Sequence, residues 1–220
     1  MEIKNIKAIL FDLDGTLYKT EAYQLKAWND VLEKRGIFID PKDYFKYIGK
    51  TALEVEKSII KEYSLDIKLG EIEREKEELL LQWFKDDDDL ELMPYAKESI
   101  EFFSNHPSLL VGLCTSGSKN ESVCKLKKNN LCDKFDIIIT KDDVLNGKPA
   151  PDVYLEAMKR LRLQGKECLA IEDTEHGLES AKQAGAYCFA IPQEFSKNQN
   201  FSKADKVLES LNDLIVFFKA

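Results

Sequence analysis

The stretch ILFDLDGTLY, Ile9 to Tyr18, decides how the rest of the chain is read. Ala8, Ile9, Leu10 and Phe11 form an apolar run of the kind that ends a buried strand. Asp12 and Asp14 follow at once, with one residue between them. A buried carboxylate costs free energy unless it is paired, and two so close raise each other's proton affinity. The pair therefore calls for positive charge supplied from elsewhere in the chain.

The other strand ends are where that charge can come from. Five short runs carry Ile, Leu, Val, Phe and Cys without polar alternation: Ile6 to Phe11, Leu109 to Cys114, Ile137 to Thr140, Cys168 to Glu172 and Tyr187 to Ile191. Strands covered on both faces read this way. Helical patterns separate most of them, such as Val153 to Leu161, and Leu178 to Ala184 with Gly185 as its stop. Strands alternating with helices predict an α/β fold with a doubly wound, mostly parallel, Rossmann-like sheet.

The interval between the first two strands is too long for one crossover. Within it, Ala22 to Arg35, Pro41 to Ile48, Ala52 to Tyr63 and Ile72 to Phe84 have helical patterns, with Leu25, Trp28, Val31 and Leu32 on one face of the first. The expected division is residues 1–18 as the first part of the core, 19–91 as an inserted helical bundle, and 92–220 as the rest of the core. Pro94 restarts the core through a helix over Tyr95 to Asn105, and the run Asp86 to Asp89 reads as a solvated loop where the insert rejoins it.

Composition excludes several function classes. The chain has 220 residues, 44% hydrophobic and 33% charged, and no apolar run long enough to span a bilayer; the lysine-flanked start lacks the apolar core of a signal peptide. A cytoplasmic location is the expectation, with no membrane partner. Five cysteines without CxxC spacing read as reduced core thiols. The net charge of −8, with no basic block interleaved with aromatics, argues against nucleic acid. An acidic protein that binds an anion must concentrate positive charge locally, through a metal ion, a lysine or a helix N-terminus.

In an open α/β sheet, ligands bind beyond the carboxyl ends of the strands. Asp12 and Asp14 follow the first strand; Thr115 and Ser116, with Gly117 allowing close backbone approach, follow the second. Lys148, in GKPAPD, follows the third, and Glu172 and Asp173, in LAIEDTEHG, follow the fourth. Four carboxylates cannot share a cleft unneutralised. Mg²⁺ suits them, because it accepts a few carboxylates while leaving positions for water and a phosphate. Metal and lysine together would best neutralise a phosphoryl group.

DLDGT, the hydroxyl after the second strand, the GKPxPD lysine and the paired acids of IED occur in the order of the four motifs of the haloacid dehalogenase (HAD) superfamily, and the chain resembles that superfamily over the whole sheet domain. The helical insert after the first motif is similar to its C1 cap. The resemblance implies that Asp12 is the nucleophile, forming an aspartyl-phosphate, and that Asp14 protonates the leaving alkoxide and then activates water. It implies Thr115, Ser116 and Gly117 as phosphate ligands, and Lys148 as the group holding Asp12 and the phosphate in register. The implied metal set is Asp12, the Asp14 carbonyl, Asp173 directly and Glu172 through water. Taken singly, each has a plainer reading: Asp12 as a helix cap, Asp14 as a turn former before Gly15, Thr115 as a strand-to-helix cap, Lys148 as a solvated loop residue.

Asp14 narrows the chemistry, since the superfamily's dehalogenases and phosphonoacetaldehyde hydrolases lack an acid there. The leading expectation is a Mg²⁺-dependent phosphatase of a small sugar- or nucleotide-like phosphate, a monomer or weak dimer. A β-phosphoglucomutase is the nearest alternative, but that family's cap-hinge histidine aligns with Gln24 and a further arginine with Ala52. A catalytically silent phosphate-binding protein is the third. YIGKTALE resembles the specificity loop of cap-bearing phosphatases, which makes Lys50 either a substrate contact or a surface lysine. GKT at Gly49 to Thr51 lacks the earlier glycine of a phosphate loop, DLDG lacks the glycine position of an EF-hand, and with only His106 and His176 a two-histidine zinc site is not expected.

Overall fold

The computed structural model describes residues 5–86 and 90–219. Its centre is β1 (Ala8–Phe11), flanked by β2 (Leu110–Cys114) and β4 (Cys168–Glu172). With β3 (Ile137–Ile139), β5 (Tyr187–Ala190) and β6 (Lys206–Val207), the sheet runs in the order β3-β2-β1-β4-β5-β6, every pair parallel. Strand order reverses at β1, and that switch point opens a crevice at the carboxyl ends.

The missing polar alternation in the strands has a direct cause. Alternate residues point to opposite faces, and both faces are covered. Ile9, Phe11, Val111, Leu113, Leu169 and Ile171 pack on one side with α5 (Ala96–Ser104) and α9 (Leu211–Lys219). Leu10, Cys114, Ile139, Ala170 and Cys188 pack on the other with α7 (Asp152–Leu161) and α8 (Glu175–Gln183). All five cysteines are free thiols, and Cys114, Cys168 and Cys188 are fully buried.

Between β1 and β2 lie α1 (Glu21–Glu33), α2 (Pro41–Tyr44), α3 (Ala52–Tyr63) and α4 (Glu71–Asp86), around a separate cluster of Trp28, Val31, Leu32, Tyr44, Tyr47 and Ile59. The helix expected over Pro41 to Ile48 is shorter: after Tyr44 the chain tightens into a 3-10 turn over Phe45–Tyr47, which brings Tyr44 and Tyr47, three apart, into the same core. Thr51 of the GKT segment caps α3, its hydroxyl accepting from Glu54 N–H while the Glu54 carboxylate accepts from Thr51 N–H. Asp86 is the last residue of α4 and so is not part of the expected aspartate loop, whose Asp87 to Asp89 lie outside the described residues. Sequence reading sets no bounds for α6 (Lys119–Lys128) beyond a helix start after the second strand, and α9 and the two-residue strand β6, which is exposed at the sheet margin, carry no expectation from it.

Candidate active site

Register builds the site. Phe11 is level with Leu113 and with Ile171, so the next residue, Asp12, stands level with Cys114 and Glu172 where the ladder ends. Asp12 N–H still donates to Ile171 C=O at 3.0 Å, which fixes the carboxylate at the crevice. The same register delivers Thr115 and Asp173 one step beyond, and all three are buried.

Lys148 reaches in from the loop after β3 and is 4% exposed. Its ammonium donates to Asp12 Oδ1 at 2.5 Å, Glu172 Oε1 at 2.6 Å and the Cys114 carbonyl at 2.8 Å. Those three acceptors use its three protons. Tyr154 O–H donates to the same Glu172 oxygen. Burial opposes the charge on Lys148, but Asp12 and Glu172 outweigh it and hold the ammonium above its ordinary range.

Two glycines let the acids come this close. A Cβ on Gly15 would lie 2.2 Å from Asp173 Oδ2, and Gly15 also has φ +85°, so a side chain is excluded twice over. A Cβ on Gly177 would lie 1.9 Å from Glu172 Oε2. Thr16 O–H steadies Asp173, donating to Oδ1 at 3.2 Å.

Oxygens of Asp12, Glu172 and Asp173 lie within 4.8 Å of one another. Burial raises the Asp12 carboxyl, Lys148 pulls it back in part, and Glu172 adds to the rise; burial followed by Asp12 and Glu172 raises Asp173 well above the carboxylate range. One lysine is too little positive charge for three buried acids. The donor set is all oxygen and short of cation, so these residues fit a hard divalent ion such as Mg²⁺.

Asp14 stands outside that cluster. Its Oδ1 accepts from Thr20 O–H at 2.5 Å and from the Lys125 ammonium. Burial pushes its carboxyl up, but Lys125, with help from Thr20, outweighs it and holds the group below its ordinary value. Thr115 is 2% exposed beside it, and its Oγ1 accepts the Gly117 N–H at 3.0 Å. The Gly117 amide, expected to face an anion, is thus engaged within its own loop. Ser116 and Lys50 line the same cavity of about 130 Å³. Lys50 Nζ lies 5.9 Å from the Tyr47 ring centroid. His176 sits in the first turn of α8, with its Nδ1 buried and without a hydrogen-bond partner among the described residues.

The sequence reading missed six charged residues that line this cavity, Glu21, Glu73, Lys76, Glu77, Glu121 and Lys141, and it missed Lys125, which lies behind Asp14. Lys76 donates to Gln24 Oε1 and lies 5.0 Å from the Trp28 ring centroid. A signal for it existed, because Ile72, Lys76, Leu80 and Phe84 are the buried residues of α4 at a spacing of four, with the lysine interrupting an apolar stripe. Burial raises the Glu21 carboxyl to about 7. The helical insert meets the core at Lys141, which donates to Glu73 at 2.7 Å and Glu77 at 3.0 Å of α4, and at Gln199, which donates to the Ile48 carbonyl at 3.3 Å.

Comparison with known proteins agrees with this geometry. A family model described as haloacid dehalogenase-like hydrolase matches residues 9–191. The chain is 31% identical over 207 residues to the bifunctional riboflavin kinase/FMN phosphatase of Arabidopsis thaliana, covering 94% of this chain and 54% of that protein, about half its length. It is 29% identical over 185 residues to the phosphorylated carbohydrates phosphatase of Thermotoga maritima, covering 82% of each. The crystal structure of CbbY from Rhodobacter sphaeroides in complex with phosphate superposes with a TM-score of 0.85 at 26% identity, covering 95% of this chain and 96% of that one. Among the described residues no helix is long and apolar enough to cross a membrane. The strand-end acids, the lysine between them and the match across the sheet together make this chain a member of the haloacid dehalogenase-like hydrolase family, and an enzyme of its phosphatase kind.

Proposed function

We propose that the protein is a Mg²⁺-dependent phosphomonoesterase that carries the phosphoryl group through an aspartyl-phosphate on Asp12. The observation that carries this reading is the convergence of Asp12, Lys148, Glu172 and Asp173 at the strand ends. Lys148 holds Asp12 Oδ1, which leaves Oδ2 as the attacking atom. As the Asp12–phosphorus bond forms, the ester P–O bond breaks and Asp14 gives a proton to the departing alkoxide. In the second half, water loses a proton to Asp14 and attacks phosphorus, the Asp12–phosphorus bond breaks, and inorganic phosphate leaves.

Thr115 and Ser116 hold the phosphoryl oxygens; the Lys148 ammonium joins them once one of its three present bonds opens, and the Gly117 amide once its bond to Thr115 opens. Mg²⁺ held by Asp12, the Asp14 carbonyl, Asp173 and, through water, Glu172 would offset phosphoryl charge. Residues 19–91 act as a cap that excludes bulk water and contributes Lys50 to substrate contact. The substrate is a small sugar- or nucleotide-like phosphate, in keeping with relatives named for phosphorylated carbohydrates and FMN. The enzyme works in the cytoplasm as a monomer or weak dimer. Gln24, bonded to Lys76, stands where the phosphoglucomutase family has its hinge histidine, which weighs against that reading.

A panel of phosphomonoesters assayed with and without Mg²⁺, beside Asp12→Asn, tests this reading. We expect phosphate release that needs the metal and is lost in the variant. Metal-independent release, or full activity in Asp12→Asn, sinks the mechanism; conversion of glucose 1-phosphate to the 6-phosphate on addition of a bisphosphate activator selects the mutase instead. Inactivity across the panel leaves a narrow substrate or a binding protein, which direct ligand screening separates.

A further inference from the structure

The two oxygens of Asp14 have different surroundings. Oδ1 accepts from Thr20 and Lys125, whereas Oδ2 faces the loop after β2, 3.5 Å from where a Cβ on Gly117 would stand. That loop carries Thr115 and Ser116, the groups assigned above to the phosphoryl oxygens. The oxygen turned to the reaction is therefore the one left free by the other two bonds.

Lys125 is an unusual residue to find there. It belongs to α6, it is fully buried, and its ammonium lies 4.7 Å from the Phe84 ring centroid, over an apolar surface. Its backbone is also tied to the first motif, since Tyr18 O–H donates to the Lys125 carbonyl at 2.9 Å. Taking an ammonium out of water is expensive, and a leucine or methionine of similar volume would fill the same space without that cost. A group kept at such cost is best explained by what it holds. What it holds is one oxygen of Asp14.

We infer that Lys125 is a positioning residue: with Thr20 it clamps Asp14 Oδ1, so that Oδ2 alone addresses the leaving-group oxygen. Lys125 itself does not line the cavity, so it acts through Asp14 and not on the substrate. The inference rests on the reading of Asp14 as the proton donor.

The test compares phenyl phosphate with 4-nitrophenyl phosphate, two esters of similar shape whose leaving groups differ in their need for a proton. Lys125→Met keeps the length of the stem over Phe84 and removes the ammonium. Because a well-placed general acid is worth 10²- to 10⁴-fold, we expect kcat/KM for phenyl phosphate to fall at least roughly tenfold further than for 4-nitrophenyl phosphate. KM should change little for either. The ratio of the two values within one preparation is independent of how much protein has folded, so partial misfolding cannot imitate the effect. Thr20→Val, which removes the other donor to the same oxygen, should move the ratio in the same direction. An equal fall on both esters, or no fall in Lys125→Met, overturns the inference while leaving the phosphatase reading intact. Wild-type protein inert on both esters with Mg²⁺ overturns the phosphatase reading and this inference with it.

Discussion

Lys148 and Lys125 each bury an ammonium against an aspartate of the same short motif, yet the two pairs sit in opposite electrostatic settings. Lys148 is divided among Asp12, Glu172 and the Cys114 carbonyl, with Asp173 close by, and Asp12 stays raised by burial despite it. Among the described residues Lys125 has a single carboxylate acceptor, and with Thr20 it holds Asp14 low against the push of burial. The difference assigns the missing cation. Around Asp12 the protein leaves a deficit of positive charge that a metal ion can fill; around Asp14, Lys125 and Thr20 already hold the carboxylate low. On the proposed roles, attack on phosphorus depends on what binds, whereas the orientation of Asp14 is set by the fold itself.

The sharpest way to break this contrast is to remove each acid in turn. Asp12→Asn takes away the proposed nucleophile, and kcat should drop by on the order of 10⁴-fold or more on every ester. Asp14→Asn should cost roughly 10²- to 10⁴-fold on phenyl phosphate and less on 4-nitrophenyl phosphate, because general-acid help is worth most to a poor leaving group. Steady-state kinetics on the two esters decide it. If both variants lose the same amount on both substrates, the division of labour between the two aspartates is wrong.

Stability separates the lysines next. Removing one partner from a buried ion pair leaves a charge without compensation, at a cost of about 3–5 kcal/mol. Lys148→Met should approach that range in metal-free protein, since the Glu172 side chain is 1% exposed and Asp12 10%. Lys125→Met should lose less, because Asp14 is 19% exposed and keeps Thr20 as a donor. Urea unfolding of both variants without Mg²⁺ measures the two losses; a greater loss in Lys125→Met contradicts the ranking. Adding Glu172→Gln to Lys148→Met should recover part of the loss, by removing one of the stranded charges.

The same two lysines show how much of the site could be read from the chain. Lys148 follows a strand, just before Pro149 and Pro151, and its place at a strand end put it in the same cleft as Asp12. The strand-end acids were legible for the same reason, since a buried parallel strand announces itself by an unbroken apolar run. Lys125 sits inside KNESVCKLKK, where the buried residues of the helix are Glu121, Ser122, Lys125 and Leu126. A helix whose inner face is polar has no apolar stripe, so periodicity could reveal neither α6 nor the lysine it buries. The strand β6 escaped for the opposite reason: both its residues are exposed, and no burial pattern marks them. Charged residues that are buried because they serve a site erase the signal by which their helix would be recognised.

The smallest effect expected concerns how the insert meets the core. Lys141, in the loop after β3, bonds Glu73 and Glu77 of α4, and burial's opposition to its charge is outweighed by those two acids, which raise the ammonium above its ordinary value. Its side chain is 32% exposed, so water and salt screen the pairs. Such pairs contribute roughly 0.2–1 kcal/mol, which limits the effect on closure of the insert to about fivefold. Lys141→Ala should therefore raise KM a few-fold and leave kcat unchanged, because Lys141 holds no group assigned to the chemistry. The wild-type KM should rise with ionic strength toward that of the variant, whose own KM should respond less. A variant that loses kcat in place of KM would mean that Lys141 reaches the phosphoryl group, and the separation between a self-sufficient core and an insert that only closes over it would have to be redrawn.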